Sequence, residues 1–146
     1  MLKWEKAKKD AANKLVKQYE GKMEKNEWDK IYKENRLKDI PWHTEKPEKN
    51  LVKLVEQGKI RPGDVLDLCS GAGTNSIYLA SKGFKVTGVD ISPTAVKIAK
   101  ERCRKKRLEC NYVVGGVLKF KSEKKFDFIF DRGCFHHIPN EDKQKY

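Results

Sequence analysis

VLDLCSGAGTNSIYLA (residues 65–80), followed by VTGVDIS (residues 86–92), is the stretch from which the fold of this chain is read. It opens as a short apolar strand carrying one carboxylate, Asp67. A tight Gly71-Ala72-Gly73 turn follows, then an amphipathic helix from Thr74. A second apolar run ends at Asp90, 19 residues after Gly71. Strand, glycine turn, helix and a second strand closed by an acid make one βαβ unit suited to hold a nucleoside. Gly71 and Gly73 lack a Cβ, so backbone and ligand can approach closely there. The start of the helix offers unpaired N–H groups. Asp90 can accept hydrogen bonds from both hydroxyls of a ribose.

The kind of nucleoside follows from the residues around the turn. A dinucleotide site wants G-x-G-x-x-G, and the third glycine position holds Ser76. Asp67 lies just ahead of the glycine pair, and a carboxylate aimed into that turn repels a pyrophosphate and welcomes an ammonium group. A cationic amino acid joined to adenosine suits both ends. The arrangement resembles motif I of the class I S-adenosylmethionine-dependent methyltransferases, D-x-G-x-G-x-G. Cys69 stands where the first glycine of that pattern falls.

A chain of 146 residues is long enough for one domain with a core. No run approaches the roughly 20 apolar residues of a membrane span. The basic start, MLKWEKAKKDAANK, has neither an apolar h-region nor a cleavage site, so it does not read as a secretory signal. Cys69, Cys103, Cys110 and Cys134 form no C-x-x-C pair and no metal spacing. They read as reduced, buried small residues of a cytoplasmic protein with no metal.

The formal charge is +12, from 33 Lys and Arg against 21 Asp and Glu. One reading is a nucleic-acid partner. The favoured reading is a solvated lysine-rich surface, because the lysines are spread along the chain and interleaved with glutamates. The one dense cluster, KERCRKKR (residues 100–107), falls at a helix end, where cations also suit the macrodipole. No RNA-recognition motif accompanies it.

Outward from the central unit, residues 1 to about 40 are charged and helix-prone, with Leu15, Val16, Tyr19 and Met23 at helical spacing. Gly21 separates them from a second helix over residues 24–37, with Trp28, Ile31 and Tyr32 along one face. Pro41, His43 and Pro47 make an extended link, and Pro47 suits the first turn of a helix running to Gly58. Strands are expected over residues 64–69, 85–90, 109–114 and 126–131, with helices over 74–81 and from Ser92-Pro93 to about 106. Strands alternating with helices predict an α/β fold: a doubly wound, Rossmann-like, mainly parallel sheet. The expected division is a helical extension over residues 1–45 and a partial cofactor-binding domain over 46–146.

Three further segments resemble the thiopurine methyltransferase and tellurite-resistance branch of that family: NEWDKIY (residues 26–32) with Pro41-Trp42, GFKVTGVDIS (83–92) and DRGCFHHI (131–138). The resemblance implies an N-terminal lid in which Trp28, Tyr32 and Trp42 line the cofactor. It implies the strand order 3-2-1-4, the first four of the family's usual set of about seven strands. Strand four, FDFIFD, would then be an open edge: the chain is a piece of a longer protein, or another molecule covers that edge, or it self-associates there.

The resemblance also implies roles. The cofactor is S-adenosyl-L-methionine, with Asp67 facing its ammonium group and Asp90 its ribose. Ile91, Val117 and Phe135 would contact adenine. Gly116 stands where relatives often carry an Asp for the adenine amino group. Methyl transfer depends on alignment more than on acid–base groups. The candidates near the acceptor are Asp131, Arg132 and His136. Arg132 could recognise an anion bidentately or form a structural ion pair. His136 or His137 could remove a proton near neutral pH. The expected acceptor is a small molecule; a non-catalytic cofactor-binding fragment and an RNA methyltransferase are the alternatives.

Overall fold

A computed structural model describes residues 23–146, with Lys3, Lys6, Ala7, Asp10, Asn13 and Lys14. Leu15, Val16, Tyr19 and Gly21 of the first expected helix lie outside the described residues. Four strands form one parallel sheet: β1 (Asp64–Leu68), β2 (Lys85–Asp90), β3 (Asn111–Val114) and β4 (Phe128–Asp131). Their order is β3-β2-β1-β4, as expected. The helices are α1 (Lys25–Glu34), α2 (Lys49–Glu56), α3 (Thr74–Ser81) and α4 (Pro93–Lys105).

Register puts Val65 beside both Val86 and Phe128. Val65 and Val86 pack with Leu51 of α2, Leu79 of α3 and Phe84. On β3, Tyr112 packs with Ile77 of α3 and with Val96, Ala99 and Cys103 of α4. Ile31 and Tyr32 of α1 join Met23, Ile40 and Ala95 in a third cluster. α1 is thus seated on α4.

That seat is polar as well as apolar. The Ser92 hydroxyl caps α4 by accepting from the Ala95 N–H at 3.0 Å, with Pro93 in the first position. Asp29 of α1 supplies a second cap: it accepts from the Ser92 hydroxyl at 2.7 Å and the Thr94 N–H at 2.8 Å. Lys33 pairs with it at 2.9 Å. The donors around Asp29 outweigh the effect of its burial and hold its carboxyl below the usual carboxylate range.

Several boundaries move. α1 stops at Glu34 because Asn35 turns extended, and a short 3₁₀ turn, Leu37–Asp39, takes over. Pro47 falls ahead of α2, which Glu48 caps by accepting from the Asn50 N–H. β1 ends at Leu68 because Cys69 adopts φ +52°, outside the extended region. β4 is an edge strand in this structure, and Ile129 on it is 57% exposed.

The cysteine expectation is corrected: Cys69 and Cys134 are joined by a disulfide, with Cα atoms 5.6 Å apart. Parallel pairing sets Leu68 beside Asp131, so the exits of β1 and β4 are neighbours. Their 65-residue separation hid this in the sequence. Cys69 is also exposed rather than buried. Cys103 and Cys110 are free, their sulfurs 2.9 Å apart. Among the described residues, no helix is long and apolar enough to cross a membrane.

Candidate functional site

A cleft of about 1140 Å³ opens at the carboxyl ends of β1, β2 and β4, where strand order reverses. This is the place at which an open parallel sheet binds ligands. Asp67, Gly71, Asp90, Ile91, Gly116, Val117, Trp28, Tyr32 and Trp42 all line it. The sequence and the topology therefore bring together nine of the eleven residues expected to touch the cofactor; Gly73 and Phe135 are the two that do not line it.

The floor of the cleft is the glycine turn. Gly71 has φ +56° and donates its N–H to Asp90 Oδ2 at 2.9 Å. The Tyr32 hydroxyl lies 2.9 Å from the place a Cβ of Gly71 would take, so any side chain there collides. Gly73, also expected there, faces the other way. It holds φ +82° ahead of α3 against the Tyr112 hydroxyl, which shares a 2.6 Å hydrogen bond with Ser76. Gly73 shapes the turn and does not line the cleft.

Sequence reasoning missed Arg102. Read as part of a basic run, it bends back from α4 to donate to the Ala72 carbonyl at 2.7 Å and to Thr74 Oγ1 at 3.1 Å. It also pairs with Glu45 at 3.4 Å. Thr74 Oγ1 in turn donates to the Thr44 carbonyl at 2.7 Å. Arg102 thereby fixes the turn to the Thr44-Glu45 segment that follows α1. Its position in the helix, one turn before the C-terminal lysines, is the signal that could have separated it from them.

Electrostatics define what the cleft accepts. Asp67 is 3% exposed, and its pKa is pushed up to about 8 by burial first and then by Asp90 and Asp131. Burial also raises the pKa of Asp90, against the pull of its two backbone donors, Ser92 and Gly71. Among the described residues, neither acid forms a salt bridge. Two buried acids lacking a cation make a place for one. Each Asp90 oxygen accepts one backbone N–H and keeps a further lone pair for a hydroxyl donor. This set of acceptors fits a ligand with an ammonium at one end and a diol at the other, which S-adenosylmethionine has.

Over the turn sit three aromatics. Trp42 Nε1 donates to the Tyr32 hydroxyl at 2.9 Å, and the Trp28 and Trp42 rings meet edge to face at 5.4 Å. Trp28 also packs on His137 at 5.1 Å.

The acceptor-side candidates divide. Asp131 does not line the cleft. Its carboxylate accepts from the Cys134 and Phe135 N–H groups and from the Tyr146 hydroxyl, so it caps the loop after β4. Arg132 lines the cleft but pairs with Glu48 at 3.2 Å and donates to the Trp42 carbonyl at 3.3 Å. The structural alternative for Arg132 is thus realised, with Glu48 as partner. His136 and His137 both line the cleft, their rings 4.1 Å apart. Burial first, and then His136, lowers the pKa of His137, which leaves it a neutral proton acceptor at pH 7. Phe135 does not line the cleft; it is 47% exposed and packs on Tyr146.

Residues 65–146 match the family model described as Methyltransferase domain. A Mycobacteroides abscessus protein, 2-heptyl-1-hydroxyquinolin-4(1H)-one methyltransferase, is 34% identical over 108 residues, covering 73% of this chain and 47% of its own. The solved structure described as "Conversion of a Disulfide Bond into a Thioacetal Group during Echinomycin Biosynthesis" matches at TM-score 0.74 and 30% identity, over 82% of this chain and 51% of its own. TehB from Haemophilus influenzae matches at TM-score 0.54 and 27% identity, over 61% and 30%. The chain spans about half the length of the first two.

Proposed function

The chain belongs to the methyltransferase domain family, and from that premise we propose that it takes part in methyl transfer from S-adenosylmethionine to a small molecule. S-adenosylmethionine is the cofactor of this family. The observation that carries the reading is the pair of buried acids, Asp67 and Asp90, flanking a glycine turn with no salt bridge to either among the described residues.

When bound, the cofactor supplies an electrophilic methyl group on a sulfonium. Asp67 holds the ammonium end and Asp90 the ribose diol. Ile91 and Val117 contact the adenine, and Gly116 leaves room beside the Ile91 side chain. Trp28, Tyr32 and Trp42 exclude water from above. The acceptor lies toward His136 and His137, and a neutral histidine there takes up the proton the acceptor loses. Residues 1–45 act as the lid and 46–146 as the cofactor-binding part.

The match to a quinolone methyltransferase supports a small-molecule acceptor. Asp131-Arg132-Gly133 at the end of β4 supports placement in the thiopurine and tellurite-resistance branch. A cytoplasmic location is part of the same reading. Calorimetry with S-adenosylhomocysteine tests it: one-to-one binding that weakens in Asp90→Ala is expected. A folded chain that gives no heat with millimolar ligand would refute it.

A further inference from the structure

The disulfide stands at the hinge of the cleft. Cys69 directly follows β1 and precedes Ser70-Gly71; Cys134 lies three residues beyond β4. Both line the cleft. Cys69 is exposed, whereas Cys134 is 3% exposed. We propose that Cys69–Cys134 is a thiol-exchange site, taking a dithiol reductant, whose oxidised form holds the turn in its cofactor-binding shape. The link to the cofactor rests on the reading of the cleft given above.

Cys69 holds φ +52°, a conformation that L side chains avoid because Cβ crowds the carbonyl. The cross-link to Cys134 keeps it there. The next residues depend on that backbone. The Ser70 N–H donates to the Val89 carbonyl at 3.0 Å, the Gly71 N–H to Asp90 at 2.9 Å, and the Gly73 N–H to the Ser70 carbonyl at 3.0 Å. Once freed, Cys69 relaxes toward negative φ, and the Gly71–Asp90 hydrogen bond is the first to feel it.

The chemistry balances with a dithiol. One reductant thiolate attacks the sulfur of Cys69, the exposed residue of the pair. The S–S bond breaks, and Cys134 leaves as a thiolate and takes a proton. The second reductant thiol then displaces Cys69 from the mixed disulfide, and Cys69 is protonated. The protein disulfide gains two electrons, and the dithiol becomes a disulfide. Linkage makes the effect reciprocal: a ligand that prefers the oxidised form protects it from reduction.

The test uses the full chain equilibrated with glutathione disulfide and compared with the same chain in dithiothreitol, its fold followed by circular dichroism. Two reactive thiols, Cys103 and Cys110, are expected on denaturing the oxidised chain, and four after reduction. Four before reduction overturns the proposal. Hydrogen exchange of the Gly71 amide in the ligand-free chain is expected to quicken on reduction; no change overturns it. Affinity for S-adenosylhomocysteine is expected to fall about five- to thirtyfold, the scale of one left-handed residue. Affinity within twofold in both forms overturns the link to binding. Faster Gly71 exchange with no binding in either form refutes the cofactor reading and that link together. Cys69→Gly, free to hold positive φ uncrosslinked, is expected to bind without responding to the reductant, whereas Cys134→Ser is expected to match the reduced chain. A Cys69→Gly chain that still responds overturns the mechanism.

Discussion

The Gly71 N–H donates to Asp90 Oδ2 at 2.9 Å, so the turn at the end of β1 is held by the carboxylate at the end of β2. In the proposed reading Asp90 therefore serves two roles, one to the backbone and one to a ligand. Asp90→Ala is expected to weaken S-adenosylhomocysteine binding at least tenfold. It should also lower stability by about 1–3 kcal/mol, because the Gly71 and Ser92 N–H groups lose their acceptor. Asp90→Asn keeps one carbonyl acceptor and should lose less of both. Calorimetry and thermal melts measure the two effects separately.

Asp67 makes the free protein sensitive to alkali. Its folded pKa is raised to about 8, so the fold favours the protonated form. The folded state then binds more protons than the unfolded state between the ordinary carboxylate range and pH 8, and stability falls as pH rises through that window. Asp67→Asn should flatten the decline and be the more stable protein at pH 8. In the wild type, a cationic ligand ionises Asp67, so binding at pH 7 should release a proton. Calorimetry in buffers of different ionisation enthalpy detects it.

Asp29 fastens α1 to the start of α4. Asp29→Ala leaves the Thr94 N–H and the Ser92 hydroxyl short of a partner, and about 2–3 kcal/mol of stability should be lost. Because its folded pKa is depressed, the wild-type contribution is fully present at neutral pH. It is lost only as pH falls below the usual carboxylate range. Urea melts at pH 7 and pH 3 read both parts.

The β4 edge carries an exposed Ile129 between half-buried Phe128 and Phe130. An unpaired apolar edge seeks strand partners, so the 146-residue chain is expected to self-associate at micromolar concentration. Ile129→Lys should shift it toward monomer. Light scattering that reports a clean wild-type monomer would contradict this.

Where local chemistry dictates structure, the sequence was readable. The Gly71-Ala72-Gly73 turn and the Ser92-Pro93 cap each impose one backbone outcome, and both are found where expected, as is Asp90 at the end of β2. α1 ends earlier than expected because Asn35 turns extended, and β4 begins at Phe128, two residues later than expected. Three features were hidden because they depend on distant segments. The Cys69–Cys134 bond needs β4 laid beside β1. Arg102 looks like its basic neighbours until α4 is set against the turn. The capping role of Asp131 depends on a loop that doubles back on it.

The inward bend of Arg102 bears on how the charge of this protein is counted. The run at residues 100–107 is not a uniform electropositive surface, since one of its cations is anchored on the Ala72 carbonyl and Glu45. A net charge of +12 thus overstates the cations free to meet a polyanion. Neutralising the whole run would disturb the glycine turn along with the surface, and a resulting loss of function would imitate a nucleic-acid phenotype without any nucleic acid being involved.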